Sequence, residues 1–305
     1  MSVYERSYEP FPGGLTPQRS RFLILPRYSL RSVFRSKLFI AFFSISFGYP
    51  LIAAILIYLH HNAPAIATMR LNIAELLPID ASFFRSFVVT QGIFAFFLTV
   101  LVGPPLVSRD ISNNALPLYL SRPFSRAEYI CGKMSVIIIL LSAITWVPGI
   151  LLFVFQSFLE GWTWMARNIN IAVAILVGSL VWVLVLALLS QAISAWVRWR
   201  FAASAALIAI LFIPQIIAEI AGHLFYTDWT SLIAINRVIA VVWSGLFGMY
   251  NPNCCRRSGL ENGQMVNIEV PEIPLWSAWL AIACLCLACV WLLSKKVRAY
   301  EQVRG

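Results

Sequence analysis

Six apolar runs, at 38–59, 87–107, 134–155, 169–197, 201–222 and 275–293, leave this chain few ways to fold. A bilayer core about 30 Å thick needs roughly 20 apolar residues of helix to cross it, and every run is long enough. Hydrocarbon offers the backbone no hydrogen bonds, so only helices and closed barrels span it. Barrel strands alternate apolar and polar residues, and these runs do not. The predicted fold is all-α: a polytopic membrane protein with six transmembrane helices. The 60% apolar composition exceeds the soluble-domain norm of about 45–50%. No stretch is left for an independent soluble enzyme domain. The chain reads as one transmembrane domain, 1–305. It has a tail and interfacial helix over 1–37, six spans within 38–293 and a second tail over 294–305. The first run starts behind a basic tail and reads as a retained anchor.

Charge sets the orientation. With the N-terminus inside, 17 of the 23 Lys and Arg residues fall on the cytoplasmic side, and only Arg70, Arg85, Arg167, Arg237, Arg256 and Arg257 fall outside. Basic residues are retained in the cytoplasm, so both termini are expected there. The net charge of +10 is then mostly topology, and no nucleic-acid partner is implied.

Chemistry-bearing groups are sparse. Cys284, Cys286 and Cys289 fall inside the last run without His or carboxylate neighbours. Cys254 and Cys255 sit in an outer loop, where pairing with each other or with another chain is open, and Cys131 is cytoplasmic. His60 and His61 are adjacent and point to different helix faces; Glu219 and His223 share a face but supply two ligands only. No metal site is expected. The single Gly-Lys, Gly132-Lys133, has Ala127 where a P-loop needs its first Gly and Met134 where it needs Ser or Thr. ATP hydrolysis is not expected on this chain. Ion-coupled carriers place charge near the midplane. Here the lone candidate, Glu219, lies at about 1.5 Å per residue roughly 27 Å from Phe201, at the outer edge.

The cytoplasmic segments carry more. From Pro26 onward Leu30, Val33, Phe34 and Leu38 share one helical face, and Arg27, Arg31 and Arg35 form a second stripe. An apolar face beside a basic one describes an interfacial helix feeding into span one. In the loop over 108–133, Asp110 or Ser112 can cap a short helix that ends at Arg122-Pro123. Ser125 can cap the next helix, with Glu128 as its capping-box partner. Leu116, Leu118, Tyr119 and Leu120 are left to dock on a partner protein or on the base of the bundle. In the outer loop over 223–274, the apolar stretch 238–249 is too short to cross and is expected to be re-entrant or to lie on the surface.

The segment over 107–133 resembles the signature loop of type-2 ABC exporter permeases. It has the pair Arg109-Asp110, a short helix, Leu120-Ser121-Arg122-Pro123, and then Arg126, Tyr129, Gly132 and Lys133. The tight turn Trp196-Val197-Arg198-Trp199-Arg200 before Phe201-Ala202-Ala203-Ser204-Ala205-Ala206, the basic elbow helix and the six spans extend the likeness over most of the chain. The resemblance implies a coupling helix at about 111–120 seated in a cleft of a separate ATPase. Coupling then falls to Arg109, Asp110, Leu116, Tyr119, Leu120, Arg122, Pro123, Arg126, Tyr129 and Lys133. It also implies two cytoplasmic ATP-binding cassette subunits that carry ATP and Mg, a second permease copy or homologue, and a bacterial cell membrane.

In similar exporters spans two and five of two copies form the path. Here that points to Gln91, Phe94 and Leu98, with Phe97 and Thr99 beside them, and to Phe212, Gln215, Ile216 and Glu219. Such walls suit a hydrophobic or amphipathic cargo. Pro148-Gly149 and Pro214 can bend their helices. Two alternatives stay open. One is a mechanotransmitting ABC subunit that passes no cargo and uses 251–272; the other is an ion-coupled secondary transporter, for which the spans lack charge.

Overall fold

The computed structural model describes residues 24–62, 78–112, 126–197, 199–252, 255–261 and 264–299. Six stretches are long and apolar enough to cross a bilayer: Lys37–His61, Ala81–Leu106, Glu128–Glu160, Ile169–Trp196, Arg200–Phe225 and Leu275–Lys295. The protein is a multi-pass membrane protein whose spans are all α-helical, each overlapping one of the predicted runs.

The helices are α1 (Ile24–Val33), α2 (Lys37–Ser46), α3 (Gly48–His61), α4 (Ala81–Ser112), α5 (Arg126–Ile144), α6 (Trp146–Glu160) and α7 (Trp162–Arg167). They continue with α8 (Ile169–Trp196), α9 (Arg200–Phe225), α10 (Ile235–Leu246) and α11 (Leu275–Ala299). A 3-10 turn, Trp229–Ile233, precedes α10, and an antiparallel hairpin of β1 (Cys255–Glu261) and β2 (Gln264–Val270) follows it. His61 at the end of span one meets Glu160 at the end of span three, 3.2 Å apart. Lys133, near the start of span three, reaches Ser29 in α1 at 3.5 Å. The spans therefore alternate in direction. We call the end carrying α1 the elbow end and the other the cap end.

Spans two, three and four are mostly buried, whereas one, five and six leave most of their surface open. Leu51 and Tyr58 on α3 and Ile216, Ile220 and Leu224 on α9 are exposed. Lipid tails are as apolar as Leu, so such exposure costs little in a bilayer. Exposed tryptophans mark both interfaces, with Trp162, Trp229 and Trp276 at the cap end and Trp196, Trp199 and Trp291 at the elbow end.

Prolines decide where the spans bend. Proline has no N–H, so the carbonyl four residues earlier loses its helical donor, and in hydrocarbon something else must supply one. Pro50 frees the Ser46 carbonyl, and span one breaks between α2 and α3; the Gln91 amide Nε2 donates to that oxygen at 3.1 Å. Pro104 frees the Val100 carbonyl, which accepts from Ser204 Oγ on α9 at 3.0 Å. Pro148 coincides with the break at Thr145 that divides span three into α5 and α6. Two carbonyls freed by proline are thus satisfied by polar side chains from neighbouring spans.

The stretch after α9 is re-entrant. Tyr226 turns the chain in the left-handed region at φ 49°. Thr230 Oγ1 then donates to the Ala218 carbonyl (3.0 Å), and Asn236 Nδ2 to the Leu211 carbonyl (3.4 Å) and to Gln215 Oε1 (3.0 Å). Leu211 lies about 21 Å along α9 from Phe225 at about 1.5 Å per residue, so the chain dips well into the bilayer before α10 climbs back. The climb ends with Gly245 against Leu275 at the head of α11.

Candidate functional site

At the elbow end α1 lies against α5. Leu30 and Val33 pack on the core, Phe34 stacks edge-on to Phe39 at 5.2 Å, and Arg27, Arg31 and Arg35 face outward. Ser36 caps α2 by accepting from Phe39 N (3.4 Å), which sets the sharp bend from elbow to span. Leu30 and Val33 on one face and Arg27 and Arg31 on the other match the predicted pattern, but α1 ends at Val33, so Phe34 and Arg35 lie in the turn and the exposed Leu38 in α2.

Of the predicted coupling residues, Leu116, Tyr119, Leu120, Arg122 and Pro123 lie outside the described residues. Arg109 and Asp110 belong to the last turns of α4, which continues as helix through Ser112. Asp110 therefore lies inside the span-two helix rather than at the start of a new one, and the expected short helix beyond Ser112 falls outside the described residues. α5 opens at Arg126 with Glu128 in its first turn, and Ser125, the predicted cap, lies outside the described residues. Tyr129 and Lys133 are buried beneath α1, with Lys133 Nζ 5.9 Å from the Tyr129 ring centre and 3.5 Å from Ser29 Oγ. Lys133 thereby reaches the elbow helix through Ser29.

The predicted path residues divide. Gln91 and Leu98 are fully buried in the chain's own bundle, which corrects their assignment to a path wall; Gln91 is the residue that satisfies the carbonyl freed by Pro50. Helical spacing put them on one face with Phe94, but that face is turned largely toward α2. Phe94 is half-buried against Phe42 (6.0 Å between rings). Phe212 is exposed and meets Phe96 at 5.8 Å. Gln215 and Glu219 are exposed on α9, Gln215 accepting from Asn236 and Glu219 lying 3.5 Å from His223. Phe94, Phe97, Phe212, Gln215 and Glu219 therefore remain available on the open side of spans two and five.

The cap end holds residues that sequence reasoning missed. Asp228 and Glu272 are buried carboxylates, and the Arg237 guanidinium lies 4.0 Å from the first and 3.7 Å from the second. Asp228 also accepts from Ser231 Oγ (3.0 Å), and the Glu272 amide donates to the Pro252 carbonyl (2.8 Å). This cluster ties the base of the re-entrant segment to the residues just after β2. Beside it, Trp243 Nε1 donates to the Gly178 carbonyl and Trp182 Nε1 to the Gly92 carbonyl, both at 3.0 Å, with the two indoles edge-on. Re-entrant α10, span two and span four meet at this node. Two Trp and two Gly scattered over three segments carry no local sequence signal. An Arg with two acids in one loop does, although their burial does not.

Among the described residues no group of three or more His, Cys, Asp or Glu could hold a metal. Cys284 is exposed, Cys286 half-buried and Cys289 buried, all unpaired, and Cys131 is exposed at the elbow end. Fold and site together define a helical multi-pass membrane protein with a re-entrant cap. No protein-family model matches the sequence, and neither does any curated protein.

Proposed function

We propose that the chain is the membrane-spanning permease subunit of an ATP-driven ABC exporter of the type-2 family, working as a dimer with two cytoplasmic ATP-binding cassette subunits. The observation that carries this reading is at the elbow end. Arg109 and Asp110 lie in the last turns of α4, and Arg126, Tyr129 and Lys133 lie near the start of α5, which packs against the basic elbow helix. A short lever joining two spans is what a motor protein can push, and α4 and α5 belong to the mostly buried spans. The skewed distribution of Lys and Arg supports a cytoplasmic elbow end, and the family resemblance implies a bacterial cell membrane.

In this reading ATP and Mg bind on the partner, whose closure drives the 111–120 segment and turns spans two and three. Arg109, Asp110 and Arg122 set its register, Leu116, Tyr119 and Leu120 fill the partner's cleft, and Tyr129 and Lys133 pass the load to α1. The cargo is hydrophobic or amphipathic and moves along the aromatic wall of Phe94, Phe97 and Phe212, with Gln215 and Glu219 near its outer end.

A second reading, mechanotransmission to an extracytoplasmic partner, is favoured by one observation: the hairpin's base is pinned to the re-entrant segment through Glu272 and Arg237.

The test is co-purification with an ATP-binding cassette subunit, which this reading expects to be encoded beside this chain. Leu116→Asp and Tyr119→Asp should each abolish capture and the ATPase stimulation that accompanies it. Normal capture and stimulation in both variants would end the coupling assignment.

A further inference from the structure

The re-entrant turn stands between α9 and α11 and leaves an open groove there of about 490 Å³. Pro214 on α9, Ile233 and Ile235 on the turn, and Ile282, Cys284 and Ala288 on α11 are among its walls. Every lining side chain is hydrocarbon except the Cys284 thiol, so the groove has no side chain able to orient a polar ligand. Its volume falls in the range of about 300–1,000 Å³ typical of sites for small organic molecules.

Depth decides what can fill it. Asn236 holds the turn at the level of Leu211, and Ala288 lies about 20 Å along α11 from Leu275 at about 1.5 Å per residue. The charged residues of these helices lie toward their ends, at Arg200 and Glu219 on α9 and at Lys295 on α11. The one cation inside the turn, Arg237, points its guanidinium at Asp228 and Glu272. The groove therefore opens at hydrocarbon depth through residues that are themselves exposed, Ile233 and Cys284. Water is absent at that depth, and an empty apolar groove forfeits its dispersion contacts. The hydrogen bonds at Asn236 fix one wall, so the shape persists rather than closing.

We infer that this groove is a binding site for one acyl chain of a bilayer lipid, held between α9 and α11 and floored by the re-entrant turn. The inference does not depend on the permease reading. The occupant is the surrounding lipid because its chain is the solvent at that depth and matches walls that offer only hydrocarbon contact.

The experiment uses the full-length chain in nanodiscs of phosphatidylcholine bearing a diazirine in one acyl chain, with adducts mapped by mass spectrometry after irradiation. Adducts should concentrate on Cys284 and its groove neighbours, above those on Val290 and Leu51, which are also exposed apolar residues. Ala288→Trp, and separately Ala281→Phe, should lower the Cys284 adducts about tenfold, as hydrophobic sites lose affinity when several methylenes of space are removed. Adducts at Val290 and Leu51 should stay unchanged and serve as the control for folding and insertion. Equal labelling of Cys284 and Val290 would overturn the site, as would indifference to both filling variants. So would a Cys284–Cys284 crosslink between two chains in one disc, which would put a second copy in the groove.

Discussion

Gly92→Ala tests the packing that joins the re-entrant cap to span two. A methyl group built at Gly92 lies 2.8 Å from Cη2 of Trp243 and 3.3 Å from Nε1 of Trp182. Neither ring can swing away cheaply. Trp243 is held by its bond to the Gly178 carbonyl, and a Cβ at Gly178 would sit only 3.0 Å from the same indole. Overpacking a tight site costs about 1–3 kcal/mol. Disturbing the Trp182–Gly92 hydrogen bond adds about 0.6 kcal/mol, the average for interhelical bonds in membranes. Alanine returns about 0.5–1 kcal/mol by stiffening the helix. The sum is a net loss of about 1–3 kcal/mol, with overpacking the largest contribution. Denaturation by SDS in mixed micelles, followed by far-UV circular dichroism, reads it. Adding Trp243→Leu opens the space the methyl needs, so the double variant should lose less than the sum of the singles, with a coupling of about 0.5–3 kcal/mol. An unchanged or raised midpoint for Gly92→Ala, or strictly additive losses, would refute the argument.

Arg237→Gln leaves Asp228 and Glu272 buried without their shared cation. Breaking a fully buried pair costs about 3–5 kcal/mol. The guanidinium is about two-fifths exposed and its contacts are long, at 3.7 and 4.0 Å, so the expected loss is nearer 1–2 kcal/mol. Glu272→Gln in the same chain should recover part of it in the same titration. Asp80 starts α4 by accepting from Ser82 N (2.9 Å) and Phe83 N (3.2 Å), and Asp80→Ala should cost about 1 kcal/mol. Partial burial pushes the Asp80 carboxyl upward, but hydrogen bonds from the Ser82 hydroxyl and the Phe83 and Ser82 amides outweigh it and hold it below its ordinary 3.8. A depressed folded-state value means the stabilisation is complete above 3.8 and is lost as pH falls through the lower folded value. The difference between wild type and Asp80→Ala should therefore shrink in acid, and a gap that widens there would contradict the assignment.

Much of the architecture could be read along the chain. Uninterrupted apolar length reports a span directly, because crossing hydrocarbon needs little more than enough helix. The elbow was legible in the same way, from Leu30 and Val33 on one face and Arg27 and Arg31 on the other. Gln91 shows where such reading fails. Its position on span two suggested a path wall, yet it faces inward to serve a carbonyl freed by Pro50, forty-one residues earlier. Periodicity places a residue on a face but does not say what that face meets. The re-entrant stretch was half legible, since its length ruled out a crossing without telling a dip from a surface helix.

The sequence by itself determined the number and length of the spans and the basic end. Each follows from hydrocarbon's refusal to solvate charge or backbone, which acts on every residue wherever its neighbours are. Only the tertiary structure decided which faces are buried, that Asn236 holds the cap against Leu211, and that Trp182 and Trp243 close on two glycines. It also decided that Asp228, Arg237 and Glu272 share one cluster. Most of those contacts join residues far apart along the chain, and their energies exist only once the helices have packed.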